Sequence, residues 1–344
     1  MKKIIALVLA ALLVSGMVAC TSTDVNDESD DTQESAVSLD ANETPESTQF
    51  TLTYPESMAA QGFEPLVLET VPTRIACTAT SSVTTLYAMG ASIIAMPSSS
   101  ATADIAAENS DITLIKSLMS DDFNIEDIVA LHPDLVIIST SYKDSYGETL
   151  ENLGINVYYQ AAGHGVAYET VKSEALCLID AFSIDEESTA KGNVLKQRFE
   201  DIEKSCAEVA DTYSEKSVMV LQAGGVGYVY GQTSNGTLGS MMRMLGFKNV
   251  ADSTAAASMF EIDYETALVE QPDLLVVVGA GDAAATEAVM DEIVAANPEY
   301  WNAMTAVAND QVLCLGVEYI ATYGIQYIDA LSALIDTVAD FYAE

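Results

Sequence analysis

Two stretches of this chain, IEDIVALHPDLVIIST (125–140) and DYETALVEQPDLLVVVG (263–279), follow one plan: an amphipathic run, a Pro-Asp stop, then an unbroken apolar run. The first part has helical spacing, and the proline ends it because the residue before a proline is driven out of the helical conformation. A short unbroken run of Leu, Val and Ile is a strand buried on both faces, which is the habit of parallel sheets covered by helices. Similar units surround each copy. RIACTA, SIIAMP and INVYYQ read as strands and SSVTTLYAMG and ETLENLG as helices in the first half; SVMVLQA is a strand and TLGSMMRMLG a helix in the second. Ser or Thr side chains can cap the SSVTTLYAMG helix and Gly90 can end it. The expected fold class is α/β, with two Rossmann-like lobes built on parallel sheets.

Between the two sets, residues 168–213 read as helical, with breaks expected around Ser183 and Gly192. A strand-to-strand crossover within one lobe does not need that length. A long connecting α-helix joining the lobes accounts for it, with a ligand cleft between them. The boundaries follow: an N-terminal lobe over 50–165, a connecting helical segment over 166–213 and a C-terminal lobe over 214–344. TLTYP and PLVLET read as a short hairpin entering the first lobe.

The N-terminus has a different character. Lys2 and Lys3 precede an apolar run from Ile4 to Val14, and small residues lead to Cys20. This is the pattern of a secretory signal, and the run is short for a membrane span. Val18-Ala19-Cys20 resembles the lipobox of bacterial lipoproteins, in which the cysteine is acylated and becomes the first mature residue; Met17 stands where Leu is usual. On this reading residues 1–20 are a lipoprotein signal peptide; a plain signal peptide with an incidental cysteine is the alternative. Residues 21–49 are rich in Asp and Glu and lack Lys and Arg, the composition of a disordered acidic tether.

A formal net charge of −39 argues against nucleic acid as a partner, since phosphates demand Lys and Arg. It also disfavours an anionic membrane surface unless a covalent lipid holds the chain there. Cys77, Cys177, Cys206 and Cys314 form no tight metal-binding spacing and read as small core residues, with a disulfide among them left open. The histidines are His132 and His164 alone, too few for the His-rich sites that capture bare zinc or manganese.

Taken in order, PTRIACTATSSVTTLYAMGA, NIEDIVALHPDLVII, ENLGINVYY, GTLGSMMRMLGFKNVAD, DYETALVEQPDLLVV and NPEYWNAMTAVANDQVLCL resemble the substrate-binding proteins of iron-siderophore, haem and cobalamin ABC importers. The resemblance runs from about residue 50 to the C-terminus. It implies two α/β lobes joined by a rigid helix, a small-molecule metal chelate held between them, and partnership as a monomer with an ABC permease and ATPase complex. It also implies that Glu126 and Glu265, each eight residues before the Asp of its Pro-Asp stop, meet arginines of the permease. A first-turn acid favoured by the helix dipole is the simpler reading of either glutamate.

Open α/β sheets bind ligands at the carboxyl ends of their strands. The corresponding loops are 78–82, 97–101, 118–123 and 139–146 in the first lobe, and 223–231, 253–260, 279–282 and 316–323 in the second. They carry Tyr142, Tyr146, Tyr228, Tyr230, Tyr319 and Tyr323, whose flat faces and hydroxyls suit an aromatic-rich chelate. A tyrosine in such a loop can equally pack into the rim. His164 and Met259 are candidate axial ligands if the chelate is haem. Lys143 is the one cation expected near the cleft, so an anionic catecholate complex is disfavoured relative to corrinoids and hydroxamates. No resident cofactor or protein-held metal is expected.

The alternative is an exported enzyme on a Rossmann-like fold. AGGVGYVYG and GAGDAAA are glycine-rich and follow strands, but neither completes G-x-G-x-x-G, and no nucleophile elbow or P-loop is present.

Overall fold

The computed structural model describes residues 49–118, 120–161, 166–253, 257–262 and 268–343. The leader with Cys20, the tether up to residue 48, His164 and Glu265 lie outside the described residues. The first lobe opens with β1 (Phe50–Leu52) paired antiparallel to β2 (Leu66–Leu68). Its sheet contains β3 (Ile75–Cys77), β4 (Ile93–Pro97), β5 (Thr113–Ile115), β6 (Leu135–Ser139) and β7 (Asn156–Gln160). The strands are all parallel in the order β5-β4-β3-β6-β7. That order reverses between β3 and β6, which places the binding crevice of this lobe at their carboxyl ends.

The second sheet contains β8 (Ser217–Gly225), β9 (Tyr228–Gln232), β10 (Lys248–Asn249), β11 (Met259–Glu261), β12 (Leu274–Val278) and β13 (Val312–Leu315). β10, β12 and β13 run parallel to β8 or to each other, as expected. The segment 223–231, expected as a loop, is instead the end of β8, a turn at 226–227 and most of β9 in an antiparallel hairpin, and β11 adds a further antiparallel edge. Gly225 and Gly227 adopt φ of 135° and 86° there, so the glycines serve a reversal, not an open loop.

The Pro-Asp stops are equivalent in detail. His132 and Gln271, the residues before each proline, take left-handed φ of 48° and 39°. Each following aspartate then ties down the start of the neighbouring strand. Asp134 accepts from the Thr73 and Arg74 amides at 2.8 and 2.9 Å, and Asp273 accepts from the Ser217 amide at 2.7 Å and its hydroxyl at 2.8 Å.

The linker consists of the helices Tyr168–Phe182 and Glu186–Tyr213; the second has 28 residues, or about 42 Å. The break falls at 183–185, where Asp185 and Ser188 form a reciprocal cap. The break expected at Gly192 is not there. A Cβ on Gly192 would stand 2.7 Å from Ser183 Oγ and 3.0 Å from Ile179, so this glycine lets the two helices pack closely. The Thr80–Met89 helix ends at Gly90, φ 79°, as expected, but no side chain caps its start. Its hydroxyls turn inward: Ser82, Thr84 and Thr85 donate to main-chain carbonyls of residues 79 and 81.

Alternation along the strands builds the cores. Ile75, Leu135 and Ile137 of the first sheet join Val218, Leu274 and Val276 of the second in one core that also takes in both linker helices. The opposite sheet faces fill separate cores around Val136 and Ile138 in the first lobe and around Leu275, Val277 and Trp301 in the second. Both sheets are therefore covered on both faces, and one continuous core runs through both lobes.

Candidate functional site

The carboxyl edges of the two sheets meet around the segment after β13. Gly324 has a φ of 55°, and a Cβ there would collide with the Ser81 carbonyl and the Thr84 hydroxyl, so only glycine permits this approach. Thr84 Oγ1 donates to the Tyr323 carbonyl at 3.0 Å, and Gln326 Nε2 donates to the Ala101 carbonyl at 2.9 Å. These bonds hold the loop after β13 against the first lobe.

A recess of about 520 Å³ opens beside this contact. Ser100 and Ala101 bound it from the first lobe, and Glu318, Tyr319, Thr322 and Asp329 are among its second-lobe walls. That volume lies in the range of small-molecule sites. A second cavity of about 20 Å³ sits at the junction of both lobes and the linker. Ser81, Thr85 and Gln160 of the first lobe, Glu174 of the linker, and Thr237, Thr322 and Tyr323 of the second contribute to its lining. Thr322 is common to both.

Glu174 is the charged group of this junction. It is 6% exposed, and its carboxylate accepts a short hydrogen bond from the Ala161 amide. Burial pushes its pKa up to about 7, opposed by that amide. The Thr322 hydroxyl is buried and has no hydrogen-bond partner among the described residues.

The expected site residues fall into three groups. Tyr142 and Tyr146 follow β6; their rings stack at 5.9 Å, and Tyr146 meets Phe123 edge-on at 5.1 Å, so both lean into the outer core of the first lobe. Tyr228 and Tyr230 stand 67% and 40% exposed on β9, and Tyr230 is in register with Gln222 and Glu261. Met259 is half-buried on β11 beside them, paired with Gln232. Tyr319 is buried and shares a 2.9 Å hydrogen bond with Thr337 while walling the recess; Tyr323 lines the junction cavity, and its burial raises its pKa. Glu126 is exposed in the first turn of the helix Ile125–Val129, where Asn124 accepts from its amide at 3.1 Å.

Lys143 departs from expectation. Its ammonium lies 4.9 Å from the Phe63 ring and 5.6 Å from the Tyr159 ring, drawn onto aromatic faces of its own lobe and away from either cavity. Of the described arginines, Arg74 donates to the carbonyls of Leu131 and His132 and Arg243 pairs with Glu169, whereas Arg198 pairs with Asp329 of the recess wall. Among the described residues no Lys or Arg lines the recess or the junction cavity.

Glu174, Gln160 and Thr322 were not singled out from the sequence. One signal was present for Glu174. It falls among Tyr168, Ala175, Leu178, Ile179 and Phe182, the buried stripe of its helix, where an acid is out of place.

Residues 75–319 match the family described as periplasmic binding protein. No curated protein matches the chain by sequence. Among solved structures, the periplasmic heme-binding protein RhuT of Roseiflexus sp. RS-1 is similar at a TM-score of 0.61 and 17% identity, over 78% of this chain and 98% of that one. An ABC-type Fe3+-hydroxamate transport protein of Saccharomonospora viridis gives 0.57 and 23%, over 80% and 96%. The periplasmic vitamin B12 binding protein BtuF of Vibrio cholerae gives 0.59 and 17%, over 79% and 99%. These likenesses extend across the two lobes and the linker between them. With the family match over most of its length, the chain belongs to the periplasmic binding protein family and is a solute binder, not an enzyme.

Proposed function

We propose that this chain is a lipid-anchored, extracytoplasmic substrate-binding protein that captures one chelate between its lobes and hands it to an ABC permease and ATPase complex. The chelate class is an iron complex, siderophore or haem, or a cobalamin-type corrinoid. The observation that carries the reading is the recess bounded by both lobes at the carboxyl edges of their sheets, in a chain of this family. The ligands named for the similar structures, heme, Fe3+-hydroxamate and vitamin B12, support the class. Among the described residues no Lys or Arg lines either cavity, which favours neutral or weakly charged members of it over anionic catecholates.

In this reading residues 1–20 direct export, Cys20 carries the lipid and 21–49 form the tether. The lobes are 50–165 and 214–344, bridged by 166–213, and the protein works as a monomer. Among the described residues no helix is long and apolar enough to cross a membrane. Tyr142, Tyr146, Tyr228, Tyr230, Met259, Tyr319, Tyr323 and His164 are the proposed ligand-facing residues. Glu126 and Glu265 are the proposed permease contacts, setting orientation and encounter rate.

Absorbance titration with haem, cobalamin, cobinamide and a set of ferric siderophores tests the reading, and saturation by one of them is the expected result. Failure to bind any would refute it. In cells, replacing Glu126 and Glu265 together by Ala should abolish uptake with ligand affinity intact; loss of affinity would place these glutamates in the cleft instead.

A further inference from the structure

Among the described residues the junction cavity is lined by acceptors and by no Lys or Arg. Glu174 and Gln160 are 6% and 1% exposed, and Thr322 is 8% exposed with its hydroxyl unpartnered among the described residues. A carboxylate taken out of water is costly unless a positive group or several donors meet it, and the Ala161 amide is the donor it has. Buried hydroxyls are normally satisfied, so an orphan lining the same cavity as an acid with a single amide partner marks a place for a donor that none of the described residues supplies. The cavity volume, about 20 Å³, admits one water-sized group. Thr322 belongs to the walls of both this cavity and the 520 Å³ recess, so a group bound in the recess has this small polar site beside it.

The wider charge distribution selects the same chemistry. The protein carries a formal charge of −39, and Glu318 stands in the walls of the recess, where Asp329 is paired with Arg198. We infer that the chelate captured by this protein carries a primary ammonium arm, which enters the junction cavity and is held by Glu174, with Gln160 and Thr322 as further acceptors. The inference rests on the proposed function and narrows its ligand class. An ammonium offers three donors on a compact head, matching the acceptors present and the one-group volume. An acylated arm is too large and brings no charge, so the site discriminates by leaving a buried acid unpaired.

Coupling to pH follows with a definite sign. With a pKa of about 7 in the empty site, Glu174 is largely protonated at pH 6 and largely ionised at pH 8. The ammonium arm prefers the carboxylate, so its advantage grows as pH rises from 6 to 8. Among the described residues the other titratable groups around the site are Tyr158, Cys177, Tyr323 and Tyr327; burial raises the pKa of each, so all stay neutral in that window.

The test uses a ferric trihydroxamate with a free primary amine arm and its N-acetylated counterpart, titrated by tryptophan and tyrosine fluorescence into the purified protein. The amine form should bind about 10- to 100-fold more tightly at pH 8, the effect of one charge-assisted contact. At pH 6 the ratio should shrink. Glu174→Gln should erase the preference, so that the amine and acetylated forms bind alike at both pH values. Thr322→Val, a nearly isosteric change, should reduce the ratio and guards against misfolding of the first variant. Equal affinities in the unaltered protein, or a preference that survives Glu174→Gln, would overturn the inference. Binding of haem or a corrinoid with neither trihydroxamate bound would also overturn it, yet leave the proposed function standing. Binding of no chelate at all would remove both.

Discussion

The two lobes share a framework and differ in what they show to the cleft. Their Pro-Asp stops repeat down to the left-handed residue before the proline and the aspartate that anchors the next strand. At the binding edge the likeness ends. After β6 the first lobe folds Tyr142 and Tyr146 against Phe123, while the second extends β8 and β9 into a hairpin that holds Tyr228 and Tyr230 out in solvent. Framework residues are set by burial and backbone satisfaction, which admit few solutions. Cleft residues are set by the ligand, which is free to differ.

The largest expected effects probe the shared framework. Leu135 and Leu274 follow the two Pro-Asp stops, are fully buried, and join one core. Leu135→Ala and Leu274→Ala should each cost about 2–5 kcal/mol in urea unfolding. Because the core is continuous, both should shift a single transition; two separate transitions would show that the lobes unfold independently. Next, Gly324→Ala places a side chain at a left-handed φ and against the Ser81 carbonyl. A loss of about 1–3 kcal/mol is expected, and a neutral result would mean that the lobe contact yields easily.

Smaller effects separate the twins. Asp134→Ala and Asp273→Ala should each cost about 1–2 kcal/mol at pH 7, measured by thermal melts. Asp273 has its pKa lowered by the Ser217 amide and hydroxyl. Its contribution is therefore present above the ordinary aspartate range and is lost as pH falls through the lowered value, so the cost of Asp273→Ala should vanish in strong acid. A penalty that persisted there would assign the effect to packing. Smallest for stability is the tyrosine pair. Tyr142→Ala should cost about 1 kcal/mol through its lost ring contacts, whereas Tyr228→Ala should stay within about 0.5 kcal/mol.

The fold was legible because its signals are local and physical. LVII and LLVVV can be satisfied only as strands covered on both sides, and Pro133 and Pro272 fix where their helices stop. The β8–β9 hairpin was missed because a glycine-rich AGGVG reads as loop until a strand pairs on each side of it. Gly192 was misread because a helix interior hides the neighbour that needs the space. The site was less legible still. Lys143 looked like a cleft cation until Phe63, far away in sequence, supplied a ring for it. Glu174, Gln160 and Thr322 come from three separate segments, and their shared cavity exists only once both lobes and the linker are assembled.

The central claim is that both lobes hold one chelate jointly. It is tested most directly by a stoichiometric absorbance titration of the best-bound chelate against the unaltered protein, Ala101→Trp and Tyr319→Ala, which alter one recess wall from each lobe. The account predicts one chelate per chain, with affinity weakened about 10-fold or more by a change in either lobe. Two chelates per chain, or an affinity that neither substitution moves, would contradict it.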